Sequence, residues 1–311
     1  MLASAAVNIL FASEMEKLQA WLPLLGAALP HDRITSWEKY AGEPIDIALV
    51  ATPPKGVLQK LRGVKLIQSL WMGVEGLLAD PDYPKGVPLA RLVDPGMVAA
   101  MSETVLAHIL DWHRRHNQYR EQQRGRLWQR HGQYMAADRT VGLLGLGELG
   151  TDAARKLLAL DFKVAGWSRR PKQLEGVKCF TDLSAMLPEC NALVCLLPLT
   201  AHTRGILNAE NLRKMKKSGC LINVARGAHV VKQDLLAALD SGQLSHAYLD
   251  VFDPEPLPKD DPLWAHPKVS VTPHTAALTE PRTAVPKIVE NIERARRGAA
   301  PLNRVDFEAG Y

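Results

Sequence analysis

Apolar and polar residues alternate in blocks from the start of the chain to about residue 92. The apolar blocks at 7–12, 46–51, 64–70 and 87–92 have the length and residue types of short buried strands. The blocks between them read as helical, and a further helix is predicted from about Gly96 by apolar residues at helical spacing, namely Val98, Met101, Val105, Ile109 and Trp112. This alternation predicts a sheet of parallel strands connected by helices.

A second alternating series begins at Thr140. Its strand-like segments lie at 140–147, 162–168, 192–198, 219–225, 246–252 and 268–273. Helices are predicted over 232–240, where Ser241 and Gly242 give a C-cap signal, and over about 280–297. Together the two series predict an α/β protein with two doubly wound parallel sheets.

The composition supports a folded, water-soluble class of protein. Of 311 residues, 47% are hydrophobic and 23% are charged, and the length suits two domains. The apolar runs are shorter than the ~20 residues that cross a bilayer, and the first residues lack the basic segment of a signal peptide, so we expect a cytoplasmic location. The four cysteines lack zinc-ligand spacing, so we expect reduced, buried thiols and no metal site.

The net charge is +5, and much of the excess lies between His113 and His131. Such a run can be a basic helix for phosphate backbones, or a helix that is solvated or contacts a second subunit. Apolar and aromatic side chains are interspersed with the cations, and Glu121 interrupts them, which favours the second interpretation. We therefore expect no nucleic acid and no membrane as partners.

The segment 145–150 has the pattern Gly-x-Gly-x-x-Gly between a predicted strand and a predicted helix. In this setting Gly145 permits the turn, Gly147 lets a pyrophosphate approach the backbone, and Gly150 lets the helix pack on the sheet. The anion is bound by amides at the helix N-terminus. The pattern predicts a dinucleotide site formed by Gly145, Leu146, Gly147, Glu148, Leu149 and Gly150.

The next strand ends at Trp167, where a chain that binds NAD usually places an acid for the ribose 2′-hydroxyl. Ser168, Arg169 and Arg170 stand there instead, and Lys172 adds another cation. A hydroxyl and two guanidinium groups suit a 2′-phosphate. NADP(H) is therefore predicted in preference to NAD(H).

Three further segments carry a family resemblance. They are NVARG (223–227), LDVFDPEPLP (249–258) and VTPHTA (271–276), with Pro-Leu-Trp at 262–264. With the glycine turn, they resemble the D-isomer-specific 2-hydroxyacid dehydrogenase family over essentially the whole chain. Within it, RGAHVV, DLLAALDSG and the closing Gly310-Tyr311 resemble the bacterial glyoxylate/hydroxypyruvate reductase A subgroup.

The resemblance implies two Rossmann-like domains with an active-site cleft between them. Residues 1–94 with 281–311 would form the substrate domain, and residues 95–280 would form the NADP-binding domain. It also implies a homodimer through the cofactor domain.

Reduction of a 2-keto acid requires a cation for the carboxylate and ketone, a proton donor and an aligned hydride. Arg226 has the planar fork for the first role. His274 is the candidate acid, and Glu255 would orient its ring and stabilise its charged form. The resemblance further assigns substrate binding to Trp71, Met72, Gly73 and Val74, and adds cofactor contacts at Leu197, Pro198, Ala225, Arg226, Asp250 and His274.

The expected function is NADPH-dependent reduction of glyoxylate to glycolate and of hydroxypyruvate to D-glycerate. Two alternatives remain open. The chain could be a D-2-hydroxyacid dehydrogenase for another substrate, or a non-catalytic regulator that senses NAD(P)H on the same fold. The expected Asp of the family's carboxylate loop is replaced by Glu75, which departs from the family pattern.

Overall fold

A computed structural model describes residues 6–311. The first five residues, which were predicted to belong to the substrate domain, lie outside the described residues. The chain divides into two compact units. The first comprises the described residues up to Met97 together with Thr279–Tyr311, and the second is Val98–Leu278. This division falls within three residues of the boundaries predicted at 94/95 and 280/281.

Over residues 6–311 the chain forms twelve strands and nine α-helices. The strands are β1 (Asn8–Ser13), β2 (Arg33–Ser36), β3 (Ile47–Ala51), β4 (Leu66–Ser69), β5 (Leu89–Ala90), β6 (Thr140–Leu144), β7 (Lys163–Trp167), β8 (Val177–Phe180), β9 (Ala192–Cys195), β10 (Gly219–Asn223), β11 (Leu244–Leu249) and β12 (Val269–Val271). The helices are α1 (Leu18–Ala28), α2 (Glu75–Leu78), α3 (Pro95–His113), α4 (His116–Arg124), α5 (Glu148–Ala159), α6 (Leu183–Met186), α7 (Ala209–Lys214), α8 (Lys232–Asp240) and α9 (Pro281–Arg296).

The first unit contains a five-stranded parallel sheet in the order β2-β1-β3-β4-β5. Its central strands are buried because they are apolar on both faces, as in Ile9 paired with Ile47 and Ile47 paired with Leu66. Strand order reverses at β1, so the sheet is doubly wound. The last helix, α9, belongs to this unit.

The second unit contains a seven-stranded parallel sheet in the order β12-β11-β10-β9-β6-β7-β8. Leu193 and Leu221 lie in the core on one face, while Val194 and Ile222 lie in the core on the other. Strand order reverses between β6 and β9, which is where open α/β sheets bind ligands at the carboxyl ends of their strands. The predicted class of two doubly wound parallel sheets is confirmed.

Several local predictions need correction. The segment predicted as a strand at 87–92 contributes only the two residues of β5, and the edge strands β2 and β8 were not predicted. The basic run is not one helix, because Arg115 adopts φ 61° and separates α3 from α4. All four cysteines are free, as predicted, but Cys179 is only half-buried. Burial raises the pKa of the Cys190 and Cys195 thiols to about 12.

Polar contacts connect α3, α4 and β11 in the second unit. Arg120 binds both carboxylate oxygens of Asp111 at 2.6 and 2.7 Å, and the Tyr248 hydroxyl donates to the same carboxylate at 2.6 Å. His246 packs against the Tyr248 ring, and its Nε2 lies 2.9 Å from Oγ of Ser270. Burial lowers the pKa of His246 to about 4. Burial acts to raise the pKa of Asp111, but the hydrogen bonds from Arg120 and Tyr248 outweigh it and lower that pKa.

None of the helices described for residues 6–311 is both long and apolar enough to traverse a bilayer. The cytoplasmic location stays a prediction.

Candidate active site

The predicted catalytic residues follow three neighbouring strands of the second sheet. Arg226 lies three residues after β10, Glu255 lies in the loop after β11, and His274 lies three residues after β12. Because parallel strands place their carboxyl ends at one edge of a sheet, these three loops are neighbours.

Backbone hydrogen bonds connect the three loops in sequence. The amide of Asp250 donates to the carbonyl of Asn223 at 3.0 Å, and the amide of His274 donates to the carbonyl of Asp250 at 2.8 Å. The loops after β10 and β11 also touch at Gly227, where a Cβ would lie 1.9 Å from the carbonyl carbon of Phe252. Only glycine permits this approach, so the segments carrying Arg226 and Glu255 are packed directly against each other.

Glu255 and His274 form the pair that the sequence predicts. Nδ1 of His274 lies 2.8 Å from Oε2 of Glu255, and Oε1 of the same carboxylate accepts the amide of Phe252 at 2.8 Å. With Nδ1 directed at the carboxylate, Nε2 is the ring nitrogen available for proton transfer. The His274 side chain is about half exposed, at 52%, so it is accessible to a substrate.

His274 adopts φ 53°, a left-handed conformation that is uncommon for a residue with a side chain. Such a conformation costs roughly 1–3 kcal/mol and persists only where the surroundings fix it. The buried carboxylate of Asp250 supplies those contacts. It accepts the Thr272 hydroxyl at 2.6 Å and the amides of Thr275 and Ala276, each at 2.9 Å. Asp250, predicted as a cofactor contact, thus organises the His274 loop.

The Arg226 loop is held by Asn223 and His229, for which the sequence predicts no role. The buried Asn223 side chain donates to the Arg226 carbonyl at 2.9 Å and accepts the Ala225 amide at 3.2 Å. The buried His229 ring lies 3.1 Å from the Arg226 carbonyl and 3.3 Å from the Pro198 carbonyl. His229 therefore links Arg226 to the segment of Leu197 and Pro198 after β9. The Asn of the N-x-A-R-G motif carried part of this signal, because its partners lie two and three residues away, whereas the Pro198 carbonyl lies 31 residues before His229.

The glycine turn has the geometry of an anion site. Gly145 adopts φ 98°, and a Cβ on Gly150 would lie 1.9 Å from the Gly145 carbonyl oxygen, so α5 packs tightly on the turn. A Cβ on Gly147 would meet no described atom within 4 Å, which leaves room for a ligand. No described side chain caps α5, so the amides of Glu148, Leu149 and Gly150 remain available to a pyrophosphate. The Leu146 side chain is buried, so only its backbone can serve a ligand.

The basic loop follows β7 directly, as predicted. The Ser168 amide donates to the carbonyl of Phe180 at 3.1 Å, and its hydroxyl donates to the carbonyl of Arg170 at 2.7 Å. The side chains of Arg169 and Arg170 are exposed beside this turn. The Lys172 ammonium donates to the Leu146 carbonyl, so Lys172 ties the basic loop to the glycine turn. A 2′-phosphate would therefore depend chiefly on Ser168, Arg169 and Arg170.

In the first unit, the residues predicted for substrate binding form the loop between β4 and α2. The Trp71 amide donates to Oγ of Ser69 at 3.1 Å, and the Trp71 carbonyl accepts the amide of Leu92 at 3.0 Å. Within residues 6–311 the amides of Met72, Gly73 and Val74 find no acceptor in the protein. Three consecutive available amides are suited to a carboxylate.

Comparison with known proteins agrees with this geometry. Residues 106–276, more than half of the chain, match the model of the D-isomer specific 2-hydroxyacid dehydrogenase, NAD binding domain. The chain therefore belongs to the D-isomer-specific 2-hydroxyacid dehydrogenase family, and the resemblance inferred from its motifs is confirmed.

Its relatives include glyoxylate/hydroxypyruvate reductase A of Yersinia enterocolitica, which is 40% identical over 98% of this chain and 100% of the relative. A D-isomer specific 2-hydroxyacid dehydrogenase from Xanthobacter autotrophicus, solved with NADPH and MES, is 41% identical with a TM-score of 0.95 over 99% of this chain and all of that one. The NADPH-dependent glyoxylate/hydroxypyruvate reductase of Sinorhizobium meliloti, solved with NADP and sulfate, is 36% identical with a TM-score of 0.92 over 98% of this chain and all of that one.

Proposed function

We propose that the protein uses NADPH to reduce small 2-keto acids, glyoxylate to glycolate and hydroxypyruvate to D-glycerate. The observation that carries this proposal is the 2.8 Å pair between His274 and Glu255 in a loop cluster that also carries Arg226. A proton donor held by a carboxylate, in the same cluster of loops as an arginine and within a dinucleotide-binding domain, is the machinery that carbonyl reduction requires.

The residues present fit NADPH. The uncapped α5, the space at Gly147 and the cations at Arg169 and Arg170 suit a pyrophosphate and a 2′-phosphate. NADPH, when bound, supplies the hydride for the reaction. The relative from Xanthobacter was solved with NADPH, and the relative from Sinorhizobium was solved with NADP.

The protein's own residues divide the remaining work. Arg226 binds the carboxylate and polarises the ketone of the substrate through its planar fork. Nε2 of His274 donates a proton to the oxygen that gains charge, and Glu255 stabilises the ring while that proton is present. In the first unit, the amides of Met72, Gly73 and Val74 bind the substrate carboxylate, and Trp71 limits the size of the substrate side chain.

The basic run supports a subunit contact better than a nucleic-acid site. Arg120 is neutralised by Asp111, and Arg124 pairs with Glu121. Beyond α4, Leu127, Trp128, Tyr134 and Met135 are exposed, and Trp128 is 95% accessible. A cluster of exposed apolar side chains beside cations is typical of protein interfaces. We infer that 124–135 contributes to a homodimer contact of the cofactor domain.

A steady-state panel of 2-keto acids tests the proposed function. Glyoxylate, hydroxypyruvate, pyruvate and oxaloacetate are each assayed with NADPH and with NADH. We expect the highest kcat/KM for glyoxylate or hydroxypyruvate with NADPH. A preference for another acid would favour a dehydrogenase of different substrate. Tight NADPH binding with no turnover of any acid would favour the non-catalytic sensor instead.

A further inference from the structure

The carboxylate of Glu16 joins two indole rings in the first unit. Its Oε1 accepts Nε1–H of Trp71 at 2.8 Å, and its Oε2 accepts Nε1–H of Trp21 at 3.1 Å. Glu16 lies in the loop between β1 and α1, 55 residues before Trp71 in sequence. An indole donates a single hydrogen bond, so Glu16 engages the only polar group of each ring.

Glu16 is itself held in place from two sides. The Ser13 hydroxyl accepts the amides of Met15 and Glu16 at 3.1 and 2.7 Å, which fixes the loop. Trp21 is fully buried in α1 and packs against Phe11 with ring centroids 6.2 Å apart. The chain of contacts therefore runs from the core, through Trp21 and Glu16, to the half-buried ring of Trp71.

The backbone of Trp71 is already fixed by Ser69 and Leu92, so the remaining freedom of this residue lies in its side-chain torsions. A hydrogen bond to a charged acceptor selects one orientation of the ring. The orientation of the Trp71 ring affects which substrates fit, because a ring that can rotate away from the pocket leaves room for an additional methylene group.

We propose that Glu16 is a positioning residue that sets the substrate-size limit by holding Trp71 in one rotamer. This inference rests on the proposed role of Trp71 in the substrate pocket. The favoured substrates are 2-keto acids in which C3 is missing or carries only a small, uncharged group.

The test compares kcat/KM for glyoxylate with kcat/KM for 2-ketobutyrate in the full-length protein. The variants are Glu16→Ala, Glu16→Gln, Trp71→Phe and the double variant Glu16→Ala/Trp71→Phe. Glu14→Gln is the matched control, since Glu14 is an exposed carboxylate of the same loop. The Nε1–H resonance of Trp71, assigned by its disappearance in Trp71→Phe, reports the hydrogen bond directly.

Each additional methylene in a pocket is worth ~10–200-fold in discrimination, and 2-ketobutyrate is two carbons longer than glyoxylate, so we expect Glu16→Ala to lower the ratio by at least about tenfold. Trp71→Phe should lower it similarly, and the double variant should go no further than Trp71→Phe alone. Glu16→Gln retains one acceptor and the side-chain shape, so a fall of about threefold is expected even where Glu16→Ala folds poorly. Glu14→Gln should leave the ratio within twofold of wild type.

A ratio unchanged in both Glu16 variants, or additive losses in the double variant, would overturn the inference. The resonance separates this outcome from a failure of the proposed function. A wild type that reduces no 2-keto acid would refute the proposed function. Independently of activity, a Trp71 Nε1–H resonance that does not move in Glu16→Ala would refute the role of Glu16.

Discussion

The backbone carbonyl of Asp250 accepts the amide of His274 at 2.8 Å, while the carboxylate of Asp250 binds the residues on both sides of His274. One buried residue thus fixes the loop that presents the proposed proton donor. Its importance lies in geometry, because misplacing a catalytic group by ~1 Å can reduce a rate by about 10²-fold.

Asp250→Asn tests this role of the carboxylate. The variant places an amide donor among three donors, so one hydrogen bond is replaced by a donor–donor contact and the loop should relax. We expect kcat to fall about 10²-fold, with a lower Tm. Thr272→Val, which removes one hydroxyl and leaves the carboxylate intact, should have a smaller effect on both measurements. Wild-type kcat in Asp250→Asn would show that the loop is fixed by other contacts.

His274→Ala and Glu255→Gln separate proton donation from ring positioning. Loss of a positioned general acid reduces a rate by ~10²–10⁴-fold, so His274→Ala should lose kcat to that extent while the Kd for NADPH stays within about threefold. Glu255→Gln keeps the shape of the acceptor but removes its charge, and we expect a smaller loss of kcat. Stopped-flow reduction and fluorescence titration with NADPH provide the two measurements. Equal losses in both variants would mean that the pair acts as one unit.

Cofactor choice should depend on the loop after β7. Ser168→Asp combined with Arg169→Ala introduces the repelling carboxylate and removes one guanidinium, so kcat/KM should shift from NADPH toward NADH. Each charge-assisted contact is worth ~1.5–3 kcal/mol, which corresponds to a change of at least about tenfold in the NADPH/NADH ratio. Arg155→Ala, in an exposed cation of α5 that pairs with Asp152, is the control and should leave the ratio unchanged. A wild type that uses both cofactors equally would contradict the assignment of this loop.

His246 should make stability sensitive to acid. Its pKa is lowered to about 4 in the folded protein by burial, against ~6.5 in the unfolded chain, so the unfolded state binds more protons between these values. The contribution of His246 to the free energy of unfolding should therefore be fully present above pH 6.5. It should decrease by roughly 3 kcal/mol as the pH falls to 4. Asp111 adds a loss only at lower pH, because its pKa is lowered from 3.8.

Urea unfolding at several pH values between 7 and 4 measures this slope. His246→Gln should flatten it, because an amide can still contact Ser270 but does not titrate. His31→Gln, in an exposed histidine, should retain the wild-type slope. An unchanged slope in His246→Gln would assign the acid sensitivity to other groups.

The exposed apolar side chains of the segment 124–135 predict a dimer. Trp128→Ser removes the single tryptophan of the segment 124–135, and interface anchors of this kind contribute at least ~2 kcal/mol. Sedimentation velocity should therefore show a dimer in the wild type and a dissociation constant raised more than about tenfold in Trp128→Ser. Leu160→Ser, in an exposed apolar residue outside this segment, should remain dimeric. A monomeric wild type would contradict the proposed dimer contact of the segment 124–135.

The sequence predicted both sheets because their inner strands are continuous apolar runs with short connections, as in β3 and β9. It did not predict β2 or β8, since Arg33–Ser36 and Val177–Phe180 are short edge strands whose exposed faces carry no apolar pattern. The break at Arg115 was missed for a related reason, because a left-handed residue other than glycine leaves no local signal.

Among the candidate site residues, Arg226, Glu255 and His274 were proposed from the sequence because each stands in a recognisable motif. Asn223 and His229 were not given roles, since their value lies in hydrogen bonds to the Arg226 and Pro198 carbonyls. Glu16 was not predicted, because no local pattern pairs this loop glutamate with Trp71, which lies 55 residues further along the chain.

Because residue 227 has no Cβ, the loop of Arg226 rests against the backbone of Phe252 with no intervening side chain. Any larger residue at 227 would displace the Arg226 loop and the loop of Phe252 and Glu255 at the same time, so this position offers no graded route to a new activity. Variation should instead accumulate where side chains are exposed or replaceable, in the loop at 71–74 and the loop at 168–172. A laboratory selection for a new substrate or cofactor should therefore enrich changes in those two loops and return glycine at 227 in every survivor.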